Sequence, residues 1–376
     1  MKETLLTFRN IAIKTFYKHI TKPILFQQDP EEVHERFIRI GTLLGKTAIG
    51  RWKTKVVFSY QNPMLEQTIA GIHFPNPVGL AAGFDKNAVL SKLLPALGFG
   101  FAELGSITGE PCAGNPKPRL WRLPASQSII VYYGLKNDGA DAIAARLAGK
   151  NFAIPIGISA AKTNCKKTVL LSAGIEDYCH VLETFTHIGA YYTINISCPN
   201  SYGGLDFSAP ERLEKLFLEM KKRALFCKPV FLKLSPDLSL QQFDVLIALS
   251  LKYGITGLIC SNLVKKKENA ALHPHEKEIW VYGGVSGKPV QQHALQHVAH
   301  IYKKTKGKLV VVGCGGIFSA EDAYMYIKNG ASLVQLITGM IYEGPQLISS
   351  INLGLVELLK KEGYKNVAEA VGKGVK

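Results

Sequence analysis

Tyr191-Tyr192-Thr193-Ile194-Asn195-Ile196-Ser197-Cys198-Pro199-Asn200 is an apolar, β-rich run that ends in a polar tip. Aromatic and β-branched residues favour a strand over residues 192–197. The tip sets a thiol between two side-chain amides. A cysteine thiol with a reference pKa near ~8.5 can accept a proton or act as a nucleophile. Asn195 and Asn200 can hold a planar polar ligand beside it through paired donors and acceptors. Taken alone, Cys198 reads as one more small buried hydrophobe. The rest of the chain changes that reading.

Seven further runs share the pattern: residues 77–82, 99–106, 152–160, 229–235, 257–262, 309–313 and 333–338, with longer helical stretches between them. Eight strand-then-helix units predict an α/β fold, a (β/α)8 TIM barrel. Their near-continuous apolar character fits parallel strands buried on both faces. Such barrels place their chemistry at the C-terminal strand ends. Lys86, Ser106, Ser159, Asn195 to Asn200, Lys233, Ser261, Asn262 and Thr338 all fall there. Two glycine clusters, residues 283–287 and 313–316, are expected as loops after late strands. Each alone serves as a turn. With Thr338-Gly339 they favour a phosphorylated cofactor or substrate, because bare backbone N–H groups bind phosphate. Lys86 and Lys233 offer point charges for an anionic ligand or an electron-rich ring.

Ahead of the barrel, residues 1–60 read as an N-terminal helical extension, with the barrel over 61–376. Leu5, Phe8, Ala12, Phe16 and Ile20 recur at helical spacing, with Leu6, Ile13 and Tyr17 widening the stripe. Arg9, Lys14, Lys18 and Lys22 lie largely outside it, which suits a helix in a membrane interface, its bases meeting anionic headgroups. A helix packed on its own domain gives the same pattern. A second helix starts with Asp29 as N-cap and Pro30 in its first turn, runs through Val33, Phe37, Ile40 and Leu44, and stops near Gly45. A hairpin is expected around residues 65–74.

With 45 Lys and Arg against 29 Asp and Glu, the formal charge is +16. Nucleic acid, an anionic membrane surface or small anionic ligands would each fit it. The chain lacks zinc-finger spacing, RNA-binding aromatic signatures and long basic runs, so nucleic acid is the weakest partner. Seven cysteines, none spaced Cys-x-x-Cys, argue against a disulfide scaffold, a zinc site or a chain-borne iron–sulfur cluster, and no metal ligand set is expected. They suit a reducing cytoplasm. No cleavable signal peptide or membrane span is expected, since Lys14, Lys18, His19 and Lys22 interrupt the early apolar stretch.

Residues 76–86 (Asn-Pro-Val-Gly-Leu-Ala-Ala-Gly-Phe-Asp-Lys), the Asn195–Asn200 motif, Lys233-Leu234-Ser235-Pro236-Asp237, the two glycine clusters and residues 330–335 (Gly-Ala-Ser-Leu-Val-Gln) resemble dihydroorotate dehydrogenases in sequence and order. Residues 25–35 resemble the extension of the quinone-linked, membrane-associated branch. The resemblance implies FMN and oxidation of dihydroorotate to orotate in pyrimidine biosynthesis. Cys198 would remove the C5 proton while C6 delivers hydride to flavin N5, and the electrons would pass to a membrane quinone. It further implies peripheral attachment to the cytoplasmic side of the cell membrane, with no obligatory protein partner. FMN contacts would come from Ala82, Gly83, Phe84, Asp85, Lys86, Ser106, Ser159, Asn195, Lys233, Ser261, Gly287, Gly316, Ile337 and Thr338. The substrate would meet Lys86, Tyr132, Tyr133, Gly134, Leu135, Asn195, Asn200, Asn262 and Leu263, and His34 and Arg122 would line the quinone tunnel.

Four positions depart from the quinone-linked pattern. Cys198 replaces the usual Ser and is the base of the soluble branches. Val131 and Ser159 each replace an Asn, and Ile337 replaces a Tyr. Fumarate as acceptor, another pyrimidine as substrate, and an inactive basic scaffold therefore remain alternatives.

Overall fold

Every second residue of a strand faces the same side. In Tyr191–Asn195 that rule sends Tyr191 and Thr193 one way and Tyr192 and Ile194 the other. The computed structural model describes residues 2–197 and 207–375. It makes the first side the interior of a closed, eight-stranded parallel barrel. The strands are Val78–Leu80, Phe101–Ile107, Ile156–Ala160, Tyr191–Asn195, Val230–Lys233, Gly257–Cys260, Val310–Cys314 and Leu333–Leu336. They neighbour one another in chain order, and the last closes on the first through Val334↔Val78. Each of the eight expected runs contains one of them or overlaps most of it.

The interior is built in layers. Phe101, Tyr191, Phe231, Ile259, Val312 and Leu333 form an apolar floor. Phe74 joins them from the expected hairpin, Gln67–Ile69 with Ile72–Phe74, and meets the Phe101 ring edge-on at 5.4 Å. Rings this large fit because adjacent strands carry glycine. A Cβ on Gly79 would lie 2.3 Å from the Phe101 ring, and one on Gly157 would lie 2.3 Å from Tyr191. Above the floor comes a polar layer of buried Glu103, Thr193, Lys233 and Gln335. Thr193 Oγ1 donates to Glu103 Oε1 at 2.8 Å. Burial pushes the Glu103 carboxyl upward, and the nearby Lys233 charge opposes it.

The glycine stretch 283–287 departs from its expected role as a loop. Gly284–Gly287 is a strand, paired antiparallel with Ser128–Val131, which pairs in turn with Leu120–Leu123. This small sheet stands over one side of the barrel mouth. The glycines are there because Val131 and Tyr132 approach closely: a Cβ on Gly283 would lie 2.5 Å from the Val131 carbonyl oxygen.

The N-terminal segment is helical over Lys2–Phe16, Lys22–Phe26, Pro30–Lys46 and Ala48–Phe58, with a π turn at Tyr17–Thr21. Asp29 caps the third of these helices, accepting from the Glu31 and Glu32 N–H groups at 2.9 Å. The helix ends at Lys46, one residue beyond Gly45. Ala48–Phe58 was not expected, because Gly50, Val56 and Val57 are weak helix formers. Thr47 Oγ1 starts it by accepting from Gly50 N–H at 3.0 Å.

The N-terminal segment has one apolar face exposed and another side packed on the barrel. Leu5, Phe8, Ala12, Phe16 and Ile20 are exposed, whereas Leu6 packs on the barrel core and Tyr17 donates to the Ile341 carbonyl at 2.6 Å. The basic residues expected to face headgroups are engaged by the protein instead. Arg9 donates to Ser349 Oγ and to the Val56 carbonyl, both at 2.8 Å. Lys14 and Lys18 pair with Glu343 at 2.8 and 2.7 Å. Lys22 sits 5.6 Å from the Tyr342 ring centroid. A membrane helix free of its own domain would not lock its bases this way.

A buried ion pair fastens the Pro30–Lys46 helix. Arg119 reaches Glu31 with Nη2–Oε1 at 2.8 Å and Nε–Oε2 at 3.0 Å, and both residues are almost inaccessible. Burial raises the Glu31 carboxyl, but Arg119, with Lys117 and Lys136, outweighs it and holds the group below its ordinary value. Lys136 and Lys117 stand at 3.6 and 3.7 Å from the same carboxylate. Arg119→Ala would leave a buried carboxylate without its fork of donors, at a cost of about 3 kcal/mol. Chemical denaturation should show that loss, and Arg119→Lys should recover only part of it, since an ammonium cannot make two parallel bonds.

Candidate active site

Because the strands are parallel, their C-terminal ends form one ring, and the polar tips expected from the sequence meet there. A cavity of about 320 Å3 opens above it. Its base includes Lys86, Ser106, Asn195, Lys233, Ser261 and Asn262. The small sheet gives one wall through Leu120, Arg122, Ile129, Val131 and Ser286. The N-terminal helices close the top with Tyr17, Leu25, Phe26, Val33, His34 and Phe37. The result is a polar bowl opening into an apolar throat.

A hydrogen-bonded chain fixes the bowl. Asn195 Nδ2 donates to Ser106 Oγ at 2.9 Å, and Ser106 Oγ lies 2.8 Å from Ser159 Oγ. Asn262 Nδ2 donates to Asn195 Oδ1 at 3.1 Å and to Ser197 Oγ at 3.0 Å. Ser197 Oγ donates to the Lys233 carbonyl at 3.2 Å, and Tyr178 OH holds the Asn195 carbonyl at 2.8 Å. These bonds orient both amides before any ligand arrives, which lowers the entropic cost of binding. Cys198 and Asn200 lie outside the described residues, directly after Ser197.

Ala82, Gly83, Phe84, Lys86, Ser106, Asn195, Lys233, Ser261, Gly287, Gly316, Ile337 and Thr338 all line the cavity, as do Tyr133, Leu135, Asn262, Leu263, His34 and Arg122. Four expected residues stand behind the wall. Asp85 accepts from the Val89 and Leu90 N–H groups at 2.9 and 2.8 Å, so its carboxylate caps the following turn. Ser159 backs Ser106. Tyr132 stacks on Tyr282 at 5.7 Å, and the Gly134 carbonyl accepts from Asn164 Nδ2 at 3.2 Å. Sequence reasoning missed the throat residues Tyr17, Phe26, Ile129 and Met340. Their apolar character is shared by every core position, so no local signal separates them.

Lys86 is half-buried in the cavity wall and its ammonium lies 4.0 Å from the Tyr133 ring centroid. Its Nζ is 3.1 Å from His34 Nε2. Burial is the main force that lowers it to about 7, with the positive charge of Lys136 acting the same way. His34 is pushed well below its ordinary value by burial and by the Lys86 charge. Among the described residues, Ser261 Oγ and Tyr133 OH are buried in the cavity lining without a hydrogen-bond partner.

Comparison with known proteins places this architecture. The family model described as "Dihydroorotate dehydrogenase" matches residues 64–359. A Gloeobacter violaceus protein named "Dihydroorotate dehydrogenase (quinone)" is 38% identical over 353 residues, 94% of this chain and 98% of the relative. One of the same name from Natronomonas pharaonis is 38% identical over 356 residues, again 94% and 98% of the two chains. Among solved structures, ligand-free DHODH from Eimeria tenella superposes with a TM-score of 0.80 at 28% identity, covering 93% of this chain and 100% of its own. The structure of DHODH from Eimeria tenella in complex with ferulenol gives 0.79, also at 28% identity, covering 92% and 95%.

An anion held at Lys86 would meet a charge that depends on pH. A carboxylate ligand requires the ammonium form, which the free protein loses as pH rises through about 7. Affinity for a planar carboxylate such as orotate should be level below pH 7 and weaken by about tenfold per pH unit above it. Titration calorimetry between pH 6 and 9 reads this directly, and Lys86→Met should flatten the profile at low affinity.

Proposed function

The chain belongs to the dihydroorotate dehydrogenase family, and we propose that it oxidises dihydroorotate to orotate with bound FMN and passes the electrons to a membrane quinone. The observation that carries this reading is the continuity of the cavity: a polar barrel mouth opens into a throat roofed by the N-terminal helices. A soluble acceptor would not require an apolar passage.

The residues present fit FMN. Ser261 Oγ is a buried polar group without a hydrogen-bond partner among the described residues, Lys233 supplies a buried cation, and Gly315 and Gly316 turn with positive φ in the cavity wall. Ala82 to Lys86, Ser106, Asn195, Lys233, Ser261, Gly287, Gly316, Ile337 and Thr338 would hold the cofactor, with Ser159 supporting Ser106 from behind. FMN supplies the two-electron acceptor for the hydride leaving C6 of the substrate. The protein's part is binding and proton transfer. Asn195 and Asn262, locked to each other, present donors and acceptors to the pyrimidine edges, joined by Asn200. Lys86 balances the substrate carboxylate. Tyr133, Leu135 and Leu263 complete the wall, with Tyr132 and Gly134 shaping the loop. Cys198, which follows the fixed Ser197, takes the C5 proton.

Residues 1–60 serve as the membrane and quinone-access module. Leu5, Phe8, Phe16, Leu43, Ile49, Trp52 and Val56 are exposed on three of its helices, with Arg51, Lys53 and Lys55 alongside. Exposed apolar residues flanked by bases match an anionic membrane surface. Among the described residues no helix is long and apolar enough to cross a bilayer. The exposed apolar face with its bases supports the proposal of peripheral attachment, placed on the cytoplasmic side of the cell membrane. His34 and Arg122 line the route inward, and Arg122 donates to the Gln28 carbonyl at 2.8 Å, which pins the passage between the helices.

Anaerobic mixing tests the reaction. Dihydroorotate should bleach the flavin, and a ubiquinone analogue should restore its colour faster than fumarate. Purified protein that stays colourless when supplied with FMN would refute the reading, and faster return with fumarate would reassign the acceptor. Cys198→Ser should move the pH dependence of flavin reduction upward, because a hydroxyl is far less acidic than a thiol. An unchanged profile would remove Cys198 as the base.

A further inference from the structure

We propose that His34 is a positioning residue for Lys86, so that the N-terminal helix seated over the barrel governs anion binding in the bowl beneath it. The inference rests on the functional reading above, in which Lys86 meets the substrate carboxylate.

The geometry is direct. His34 lies one turn beyond Glu31 on the helix Pro30–Lys46, and the buried Glu31–Arg119 pair fixes that turn against the barrel. The His34 ring packs edge-on against Phe84 at 4.9 Å and hydrogen-bonds the Phe84 backbone. Its Nε2 stands 3.1 Å from Lys86 Nζ. An ammonium can only donate, so Nε2 carries the lone pair and the proton of the neutral ring sits on Nδ1. Burial and the Lys86 and Lys136 charges keep the ring neutral, which is the state this bond requires.

The other charged and titratable groups around Lys86 act from further away. Asp85 precedes it in the chain, Glu31 faces it from the N-terminal helix, and Arg119, Tyr133 and Lys136 face it from the segment beside the mouth. Lys136 is itself tied to Glu35 at 2.9 Å. Among the described residues, His34 is the hydrogen-bond acceptor for Lys86 Nζ. A lone pair at that point favours the charged ammonium and fixes its direction. The barrel lysine therefore depends on a side chain from a different structural unit.

Two substitutions separate this role from simple packing. His34→Phe keeps a ring against Phe84 but removes the acceptor, and His34→Gln can return a carbonyl oxygen near the Nε2 position. Orotate is titrated into the holoprotein by calorimetry at pH 6 and pH 8. Losing a hydrogen bond to a charged group lowers the Lys86 pKa by about one, so His34→Phe should bind about tenfold more weakly at pH 8 and less than about twofold more weakly at pH 6. His34→Gln should stay close to the parent at both values. His34→Leu provides the same loss of acceptor if the Phe variant does not fold, and should show the same pH-dependent gap. Equal weakening at both pH values, or none, overturns the inference while leaving the functional reading intact. A parent protein that binds no orotate overturns that reading, and this inference falls with it.

Discussion

Closure of eight parallel strands is the constraint on which the molecule depends. A closed ladder leaves no edge, and the period-two alternation of each strand then sorts side chains into an inside and an outside. Because all strands run the same way, residues at equal heights share one environment. Phe101, Tyr191 and Phe231 share the floor, Glu103, Thr193 and Lys233 the layer above, and Ser106 and Asn195 the mouth. The floor is apolar and closely packed, which leaves the strand tips as the place where polar groups can meet a ligand. The positions of the bowl residues follow from strand register more than from any local loop.

The barrel alone would leave that bowl open to water. The Pro30–Lys46 helix and the sheet built from residues 120–131 and 284–287 close it on two sides. The helix is held by a bidentate ion pair whose partners are both buried. Such a pair contributes less to net stability than to specifying one arrangement, because desolvation offsets most of its attraction. Here the arrangement matters, since the same helix carries His34 to Lys86. Low polarity around this contact strengthens every charge interaction inside it, and it also depresses the protonation of both groups. Above pH 7 such a lysine regains its charge when an anion binds beside it.

How much of this could be read from the chain depended on the kind of signal. The eight barrel strands were legible because each is an apolar run with a polar end, and repetition eight times over outweighs the ambiguity of any one. Asp29 was legible as a cap because Pro30 and two glutamates follow it. The helix Ala48–Phe58 was hidden by Gly50 and two valines, whose weak propensity is overcome by packing of the helix on its neighbours. The strand Gly284–Gly287 was hidden because glycine suggests a turn, and its pairing partner lies more than 150 residues away. The bases of the first helix misled for a related reason. The carboxylate partner of Lys14 and Lys18, Glu343, stands near the far end of the chain. Most of the bowl was visible in motifs, whereas the throat, made of ordinary apolar residues, became visible only as a surface.

Three of the departures from the family pattern, Val131, Ser159 and Ile337, gain a common meaning in three dimensions. Val131 and Ile337 are far apart in the chain, yet both line the cavity together with Ile129, Met340 and Ile341. Each replaces a polar side chain with an aliphatic one, so together they extend the apolar wall toward the bowl. Removing an amide at Val131 would be costly if it stranded a polar partner. Val131 sits instead in the ladder of the small sheet, opposite Leu120 and Gly284, where its backbone carries the pairing. Ser159 follows the same logic on the opposite side: a shorter side chain than Asn, it is fully buried and bonds Ser106, the neighbour that itself holds Asn195. The substitutions therefore keep the polar chain of the bowl closed while making its border with the throat more apolar. That border is where a hydrophobic electron acceptor would approach, and a drier border separates it more sharply from the anionic pyrimidine that Lys86 would hold.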